Sequence, residues 1–356
     1  MKNLLYHLPS FRESAFYEQI ADYKVRCTLC ERRCVIPPNG LGFCKTRINV
    51  DGKLYTLVYG ALSAVESRPI EIKPFFHYWP GSTALTFSTW SCNFDCPWCQ
   101  NWSLSKFVPE PEKMSYYAPE DIVEFALRRG DEGLCASFQE PTLLTDWNID
   151  LFRIGCRRGL YACYVSNGYM TLEALRALRK SGMDGLKIDV KGDSEVYEKF
   201  CGGINVEKVW RNVREAKKMG FHVELVNLVI TDVNDDEECL RSVIERALKE
   251  AGSETPLHFT RYYPAYKFDK PATRTEILEK AYNMAKKMGV LYPYIGNVPG
   301  HRYEHTYCPN CNEALIKRYR FGIIRYKITE DNKCPKCGYK INIRGKYVKK
   351  RRFLFI

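Results

Sequence analysis

The feature that most constrains this fold is a series of six alternating strand and helix patterns between residues 83 and about 296. Each short apolar stretch predicts a strand, and the amphipathic segment after it predicts a helix. Strands are expected at 83–89, 133–138, 160–166, 185–190, 222–230 and 257–263. Strands separated by helices form parallel βα units, so either an open doubly wound sheet or a partial (β/α) barrel is expected. In both folds ligands bind at the carboxyl ends of the strands.

The rest of the 356-residue chain divides into three smaller stretches around a core at 83–300. Residues 1–55 carry four clustered cysteines and end in a predicted hairpin around an Asp-Gly turn. Residues 56–82 form a connector rich in proline and aromatic residues, and residues 301–356 form a small basic module with paired cysteines. A chain of this length can bury a sizeable core.

The 16 cysteines indicate metal sites rather than disulfides. No apolar run approaches the roughly 18 residues of a membrane-spanning helix, and the first residues lack the pattern of a secretory signal. A cytoplasmic protein without a membrane association is therefore expected, in which clustered cysteines hold metals. The five cysteines outside the clusters, Cys201 among them, are expected to be small buried apolar residues.

One cluster, in "CNFDCPWC", contains three cysteines where a closed metal site needs four. Cys92, Cys96 and Cys99 directly follow the first predicted strand. Three thiolates on a [4Fe-4S] cluster leave one iron open to a small molecule, whereas closed structural sites use four protein ligands. The alternative is half of a zinc site, completed by a distant cysteine.

The C-x3-C-x2-C spacing, with Trp98 just before the last cysteine, resembles the radical S-adenosylmethionine (radical SAM) superfamily. The resemblance implies a partial (β/α)6 TIM-like barrel and a [4Fe-4S] cluster whose open iron chelates S-adenosylmethionine (SAM). It also implies that the reduced cluster cleaves SAM to methionine and a 5′-deoxyadenosyl radical, which abstracts hydrogen from the substrate. A reductant such as ferredoxin or flavodoxin would supply the electron.

The same resemblance implies SAM contacts at the ends of the next three strands. "SFQEPT" lies where members of the superfamily often have Gly-Gly-Glu, "SNGY" resembles an Asn-Gly of the glycyl-radical-enzyme activases, and "KIDVKG" resembles their Asp-x-Lys. The activases also have a Pro-Tyr-His motif, whereas "YYPAY" places Tyr266 at the histidine position, which argues against a simple activase role. The predicted cofactor-binding residues are Trp98, Gln139, Glu140, Ser166, Asn167, Asp189 and Lys191, and no catalytic residue is assigned.

Longer stretches resemble the radical SAM enzyme of the AmmeMemoRadiSam system. They include "CTLCERRCVIPPNGLGFCKTR", "PIEIKPFFHYWPGS", "QEPTL", "YIGNVPGH" and "YCPNC". This resemblance implies Memo-like and AMMECR-like proteins as partners. It leaves open whether the substrate is a protein, a peptide or a metabolite.

The C-terminal cysteines predict a zinc-ribbon-like module. Cys308-x2-Cys311 and Cys334-x2-Cys337 have the spacing of a tetrahedral four-cysteine site, with zinc preferred to a rubredoxin-like iron. Such a closed site should stabilise the module. Residues 301–356 hold 15 Lys/Arg against 4 Asp/Glu, which predicts an acidic protein or RNA partner, with a solvated basic face as the alternative.

The N-terminal cysteines predict a second four-cysteine site, made of Cys27, Cys30, Cys34 and Cys44. Zinc is favoured over an auxiliary iron–sulfur cluster, and the spacing matches neither common ferredoxin run. The leading hypothesis is an oxygen-sensitive radical SAM enzyme. The alternative is a non-catalytic RNA- or protein-binding protein in which all three cysteine clusters are structural.

Overall fold

The computed structural model describes residues 5–349, and its N-terminal part contains two small antiparallel sheets. The six strands are β1 (Arg12–Glu13), β2 (Tyr17–Gln19), β3 (Val25–Cys27), β4 (Val35–Ile36), β5 (Arg47–Val50) and β6 (Lys53–Thr56). One sheet has the order β1-β6-β5 and the other β2-β3-β4. The predicted hairpin is present as β5 and β6, and its Asp51-Gly52 turn has positive φ at both residues.

An eight-stranded sheet forms the centre of the molecule. Its strands are β7 (Ala64–Pro69), β8 (Thr83–Ser88), β9 (Gly133–Ala136), β10 (Tyr161–Ser166), β11 (Gly185–Asp189), β12 (His222–Val229), β13 (Leu257–Arg261) and β14 (Pro293–Gly296). Strands β8 to β14 are parallel, and each pairs with the next strand along the chain. Strand β7, within the predicted connector, pairs antiparallel with β8 at one edge.

The strand order decides between the two predicted architectures. A doubly wound sheet reverses its strand order at a switch point, but here the order from β8 to β14 is unbroken. Because βα crossovers are right-handed, an unbroken order places the helices on one face, and the sheet curves around its other face. β7 and β14 are the two edges of this sheet, so the predicted partial (β/α)6 barrel is confirmed. β14 is an additional parallel strand that the sequence did not predict.

Helices follow the first six parallel strands. They are α1 (Trp102–Ser105), α2 (Pro119–Arg129), α3 (Thr145–Arg157), α4 (Leu172–Lys180), α5 (Ser194–Phe200), α6 (Val206–Lys218), α7 (Glu237–Ala251) and α8 (Thr275–Met288). The Asp193 and Asp236 side chains accept backbone N–H bonds at the starts of α5 and α7. Gly130 and Gly289 end α2 and α8 in the left-handed conformation.

The C-terminal module contains the antiparallel strands β15 (Thr306–Tyr307), β16 (Ala314–Tyr319) and β17 (Gly322–Tyr326). It shares a buried apolar cluster with Phe76 and Tyr294. Arg318 is almost fully buried and donates to the Phe76 carbonyl oxygen at 2.8 Å. Because Phe76 N–H in turn bonds Glu224 near the start of β12, the module lies at the amino ends of the barrel strands. The last basic residues, 350–356, lie outside the described part.

None of the 16 cysteines, all of which lie within residues 5–349, forms a disulfide. Within the same residues, none of the helices combines the length and apolar character needed to span a bilayer.

Candidate functional site

The cysteine triplet lies in the loop between β8 and α1, at the carboxyl end of the first parallel strand. Cys96 is buried, while Cys92 and Cys99 are half-buried. Cys92 Sγ accepts a bond from the Phe94 N–H at 3.4 Å, and Cys99 Sγ lies 3.0 Å from Ser105 Oγ. Within the described chain, these three sulfurs do not converge within 4.8 Å as ligands of a single ion would. A spread triplet suits a [4Fe-4S] cluster, in which each thiolate binds a different iron.

A fourth cysteine lies beside this loop. Cys201, at the C-terminal end of α5, is fully buried, and its Sγ is 3.7 Å from Cys96 Sγ. The Cys201 thiol lowers the pKa of Cys96, in opposition to burial. A thiol this close to one ligand is placed to hydrogen-bond the Cys96 thiolate rather than to bind a separate iron. The sequence predicted only a buried apolar role for Cys201.

Glu140 connects the ends of β9 and β10. Its carboxylate is buried and accepts hydrogen bonds from Ser166 Oγ and the Asn167 N–H, both at 2.8 Å, and from the Thr142 N–H at 3.1 Å. Burial raises the pKa of Glu140 although these donors oppose the shift. Asn167 Nδ2 donates to Asn93 Oδ1 at 2.7 Å, so three of the predicted residues form one network that reaches the cysteine loop.

Gln139 is a buried side chain with unsatisfied hydrogen-bonding groups. Only 7% of it is exposed, and neither its Oε1 nor its Nε2 has a hydrogen-bond partner within residues 5–349. The preceding Phe138 takes the place of a family glycine and has φ +72°, a conformation that costs an L-residue about 1–3 kcal/mol. Strain and an unpaired amide at a strand end are typical of a ligand site.

Asp189 lies between two lysines, as the alternation along β11 predicts. It forms ion pairs with Lys187 and with Lys191, the latter at 3.2 Å. Although burial raises its pKa, the two lysines lower the pKa of Asp189 to about 2. The carboxylate is therefore ionised, and the three side chains together carry one net positive charge.

Trp98 packs in an aromatic cluster. It is buried, and its ring centroid lies 5.4 Å from Phe200 and 5.7 Å from Phe268. These contacts fix the last turn of the cysteine loop against α5 and the loop after β13. Its contact with a cofactor stays a prediction.

The "YYPAY" loop covers one side of the cysteine triplet. The Lys267 N–H donates to the Pro97 carbonyl oxygen at 3.0 Å. Tyr266, the residue at the position of the activase histidine, stacks on Trp102 with the ring centroids 5.6 Å apart. An aromatic contact therefore replaces the histidine beside this site.

The C-terminal cysteines converge on one point. Cys308 Sγ lies 3.5 Å from Cys337 Sγ, and Cys311 Sγ lies 3.6 Å from Cys334 Sγ. All four sulfurs lie within 4.8 Å of one another. Four thiolates around a tetrahedral ion at about 2.3 Å are roughly 3.8 Å apart, so this group is preorganised to bind one metal ion.

The N-terminal cysteines line a cavity, whereas the C-terminal sulfurs converge on one point. Its lining includes all four predicted ligands, Cys27, Cys30, Cys34 and Cys44. The backbone beside Cys30 is attached to the barrel, since the Glu31 N–H donates to the Tyr169 carbonyl oxygen at 3.0 Å.

Comparison with known proteins identifies the family. The radical SAM superfamily matches residues 88–243, which include the cysteine triplet and all the predicted SAM contacts. An uncharacterized protein of Methanocaldococcus jannaschii is 41% identical over 335 residues, which cover 93% of this chain and 99% of that protein. The chain belongs to the radical SAM superfamily. Membership in the superfamily implies a [4Fe-4S] cluster and SAM.

Other similarities of this radical SAM protein are more distant. A GTP 3′,8-cyclase of Aquifex aeolicus is 26% identical over 211 residues, or 57% of this chain and 63% of that enzyme. The structure of SuiB from Streptococcus suis bound to S-adenosylmethionine has a TM-score of 0.47 and 12% identity, covering 59% of this chain and 50% of SuiB. A domain of the pyruvate-formate lyase-activating enzyme from Bacteroides vulgatus has a TM-score of 0.41 and 21% identity. The match covers 46% of this chain and 99% of that domain.

Proposed function

We propose that this radical SAM protein is an enzyme that cleaves SAM reductively and abstracts hydrogen from a substrate held in the barrel. The observation that carries this proposal is the spread triplet of Cys92, Cys96 and Cys99 at the carboxyl end of β8. The buried unpaired amide of Gln139, also at a strand end, supports it, because a bound cofactor or substrate would satisfy both amide groups. The residues present therefore fit the cofactors of the superfamily.

A [4Fe-4S] cluster on the three cysteines would supply an electron and an open iron that binds the amino and carboxylate groups of SAM. The chain's own residues prepare the surrounding pocket. Glu140 holds the ends of β9 and β10 together through Ser166 and Asn167. Lys191 offers a positive charge suited to a carboxylate, and its pairing with Asp189 fixes its position.

The aromatic contacts around the triplet would exclude water. Trp98 is packed between Phe200 and Phe268, and the loop that carries Tyr266 contacts the cysteine loop. A reactive radical needs such protection, since water-filled access permits side reactions.

A buried lysine favours a substrate with an anionic group. Lys73 is 5% exposed, and its ammonium lies 4.4 Å from the Phe138 ring centroid. Burial lowers the pKa of Lys73. Within residues 5–349 Lys73 forms no ion pair, whereas Lys187 and Lys191 both pair with Asp189. A carboxylate or phosphate, on a peptide or on a metabolite, would pair with Lys73.

The partners belong to the same proposal. We place the enzyme in the cytoplasm with a ferredoxin- or flavodoxin-type reductant, and with Memo-like and AMMECR-like proteins as the source or destination of the substrate. The basic C-terminal module would contact an acidic protein or RNA.

The test is SAM cleavage by anaerobically reconstituted protein. With dithionite, the wild-type chain should convert SAM to 5′-deoxyadenosine, and Cys96→Ala should abolish the conversion. Cys156→Ser, which alters a half-buried cysteine outside all three clusters, is the matched control and should retain activity. If protein with a full iron complement produced no 5′-deoxyadenosine, the enzyme proposal would fail, and binding of RNA or protein would become the better explanation.

A further inference from the structure

Three of the N-terminal cysteines lie within residues 27–34, and Cys44, from the loop before β5, completes the lining of one cavity. Cys27 ends β3, and its N–H donates to the Cys34 carbonyl oxygen at 2.9 Å. Cys27, Cys30 and Cys44 are each more than nine-tenths buried. All four cysteines line this cavity. We propose that these four cysteines bind a second [4Fe-4S] cluster, and not the zinc ion that the sequence favoured.

The spread of the sulfur atoms is the first argument for a cluster. Around one zinc ion, four thiolates lie roughly 3.8 Å apart, and the C-terminal tetrad of this chain has that spacing without any ion. In the described part of the chain, no three of the N-terminal sulfurs come within 4.8 Å of one another. A [4Fe-4S] cluster accommodates wider spacing because each thiolate binds its own iron.

The surroundings of the cavity suit a buried anionic centre. Four thiolates around a core with two positive charges carry a net charge of about −2. Arg32 and Arg47 both line the cavity, and Arg47 is paired with Asp146 at 2.8 Å. Within the described residues Arg32 donates to the carbonyl oxygens of Asn93 and Gly202 and forms no ion pair, so its charge remains available to the cluster.

Apolar residues complete the lining. Leu29, Ile36, Phe43 and Leu143 surround the sulfurs, and Leu29 and Ile36 are each 1% exposed. An apolar shell is one of the features that set the reduction potential of iron–sulfur clusters.

The cavity adjoins the radical SAM loop on both sides of Cys92. Ser91 Oγ donates to the Cys44 carbonyl oxygen at 2.6 Å. Asn93 lines the cavity, and its carbonyl oxygen accepts from Arg32. Occupancy of the N-terminal site should therefore help to order the loop that holds Cys92, independently of the reaction catalysed there.

The test separates the two clusters by mutation and measures metal content. A Cys92→Ala/Cys96→Ala/Cys99→Ala chain, reconstituted anaerobically, should retain about four irons and about four sulfides, the content of one [4Fe-4S] cluster. Its Mössbauer spectrum and its EPR spectrum after reduction should be those of a four-cysteine cluster that does not respond to SAM. Adding Cys34→Ser should reduce the iron at least severalfold while zinc stays constant.

Three results would overturn this proposal. They are zinc in place of iron at this site in the triple variant, no metal there at all, or iron that persists unchanged after Cys34→Ser and after Cys30→Ala. Circular dichroism of each variant verifies folding. The iron content of the wild-type protein gives a second count, with about eight irons per chain expected in total. Formation of 5′-deoxyadenosine by the wild-type chain tests the proposed function separately, because neither result determines the other.

Discussion

Cys96 Sγ lies 3.7 Å from Cys201 Sγ although 105 residues separate them in the chain. Cys96 belongs to the loop after β8, whereas Cys201 ends α5 beyond the fourth parallel strand. The barrel brings them together because its strands meet in chain order and their carboxyl ends share one rim. Cys201 is thus a contact of the cluster loop that no local spacing reveals.

Removing this thiol should alter the cluster without removing it. In Cys201→Ala we expect unchanged iron content, a lower reduction potential and SAM cleavage about 10-fold slower, since loss of an outer hydrogen bond to a metal ligand has effects of this order. Cys201→Ser, which retains a donor, should recover part of the potential. Redox titration followed by EPR measures the shift. Loss of about one iron per cluster in Cys201→Ala would instead show that Cys201 is a ligand.

Replacing Gln139 by an apolar residue should stabilise the SAM-free protein and weaken ligand binding. Gln139→Met replaces an unpaired buried amide with an apolar side chain of similar shape, so the free energy of unfolding of the SAM-free protein should rise by about 1 kcal/mol. Apparent binding of SAM or substrate should weaken about 10-fold if the amide pairs with the ligand, as one hydrogen bond of about 1.4 kcal/mol implies. Urea unfolding and the concentration dependence of 5′-deoxyadenosine formation measure the two effects.

The matched control for this prediction is Gln19→Met, which alters an exposed glutamine of the N-terminal sheet. Gln19 Nε2 donates to the Gly52 carbonyl oxygen at 3.0 Å. Gln19→Met should therefore lower the free energy of unfolding by about 1 kcal/mol, opposite in sign to Gln139→Met, and leave the SAM dependence unchanged. A Gln139→Met chain with normal SAM and substrate dependence would exclude Gln139 from the binding site.

Several site features could be predicted from the sequence because they depend on local geometry. The two-residue spacing of Asp189 and Lys191 places both side chains on one face of the chain after β11, and the structure pairs them. The C-x2-C pairs at 308–337 likewise converge as their spacing predicts. Glu140, Ser166 and Asn167 meet because consecutive strand ends lie side by side.

Other features depend on packing across the barrel and were not predictable. Periodicity could not choose between a doubly wound sheet and a barrel, because the order of strands is a tertiary property. Trp98 packs on Phe200, 102 positions away, and on Phe268, which no local spacing predicts; its contact with a cofactor stays a prediction. β14 has only four residues and is followed by a short 3₁₀ helix at Arg302–Glu304 instead of an α-helix, so its pattern lacks the βα signal of the other strands.

The C-terminal tetrad should bind one metal ion, which we expect to be zinc. Cys311→Ala should lower the zinc content by about one ion per chain and lower the melting temperature, because metal binding contributes to the folding of so small a module. Cys239→Ala, which alters a buried cysteine of α7, should leave the zinc content unchanged. Elemental analysis measures the zinc content of both variants. An unchanged zinc content in Cys311→Ala would refute the assignment of zinc to the C-terminal cysteines.

The contact between the barrel and the C-terminal module should weaken in mild acid. His77 is fully buried, with Nε2 2.7 Å from Tyr294 Oη and Nδ1 3.0 Å from the Asn342 carbonyl oxygen. Burial lowers the pKa of His77 to about 3 from 6.5; Arg318 adds to this shift, and Glu224 opposes it. Since the unfolded chain binds the proton first, this contribution to stability is complete above pH 6.5 and is lost as the pH falls toward 3.

Between pH 6.5 and 5 the loss amounts to about 2 kcal/mol, because each pKa unit corresponds to about 1.4 kcal/mol. In His77→Gln, the free energy of unfolding should be lower at pH 7.5 but fall less steeply across this range. His7→Gln, at an exposed residue, should keep the wild-type slope. Urea unfolding of anaerobically reconstituted protein at pH 7.5, 6.5 and 5 measures both slopes. Equal slopes for the wild type and His77→Gln would mean that another group dominates the acid sensitivity of this contact.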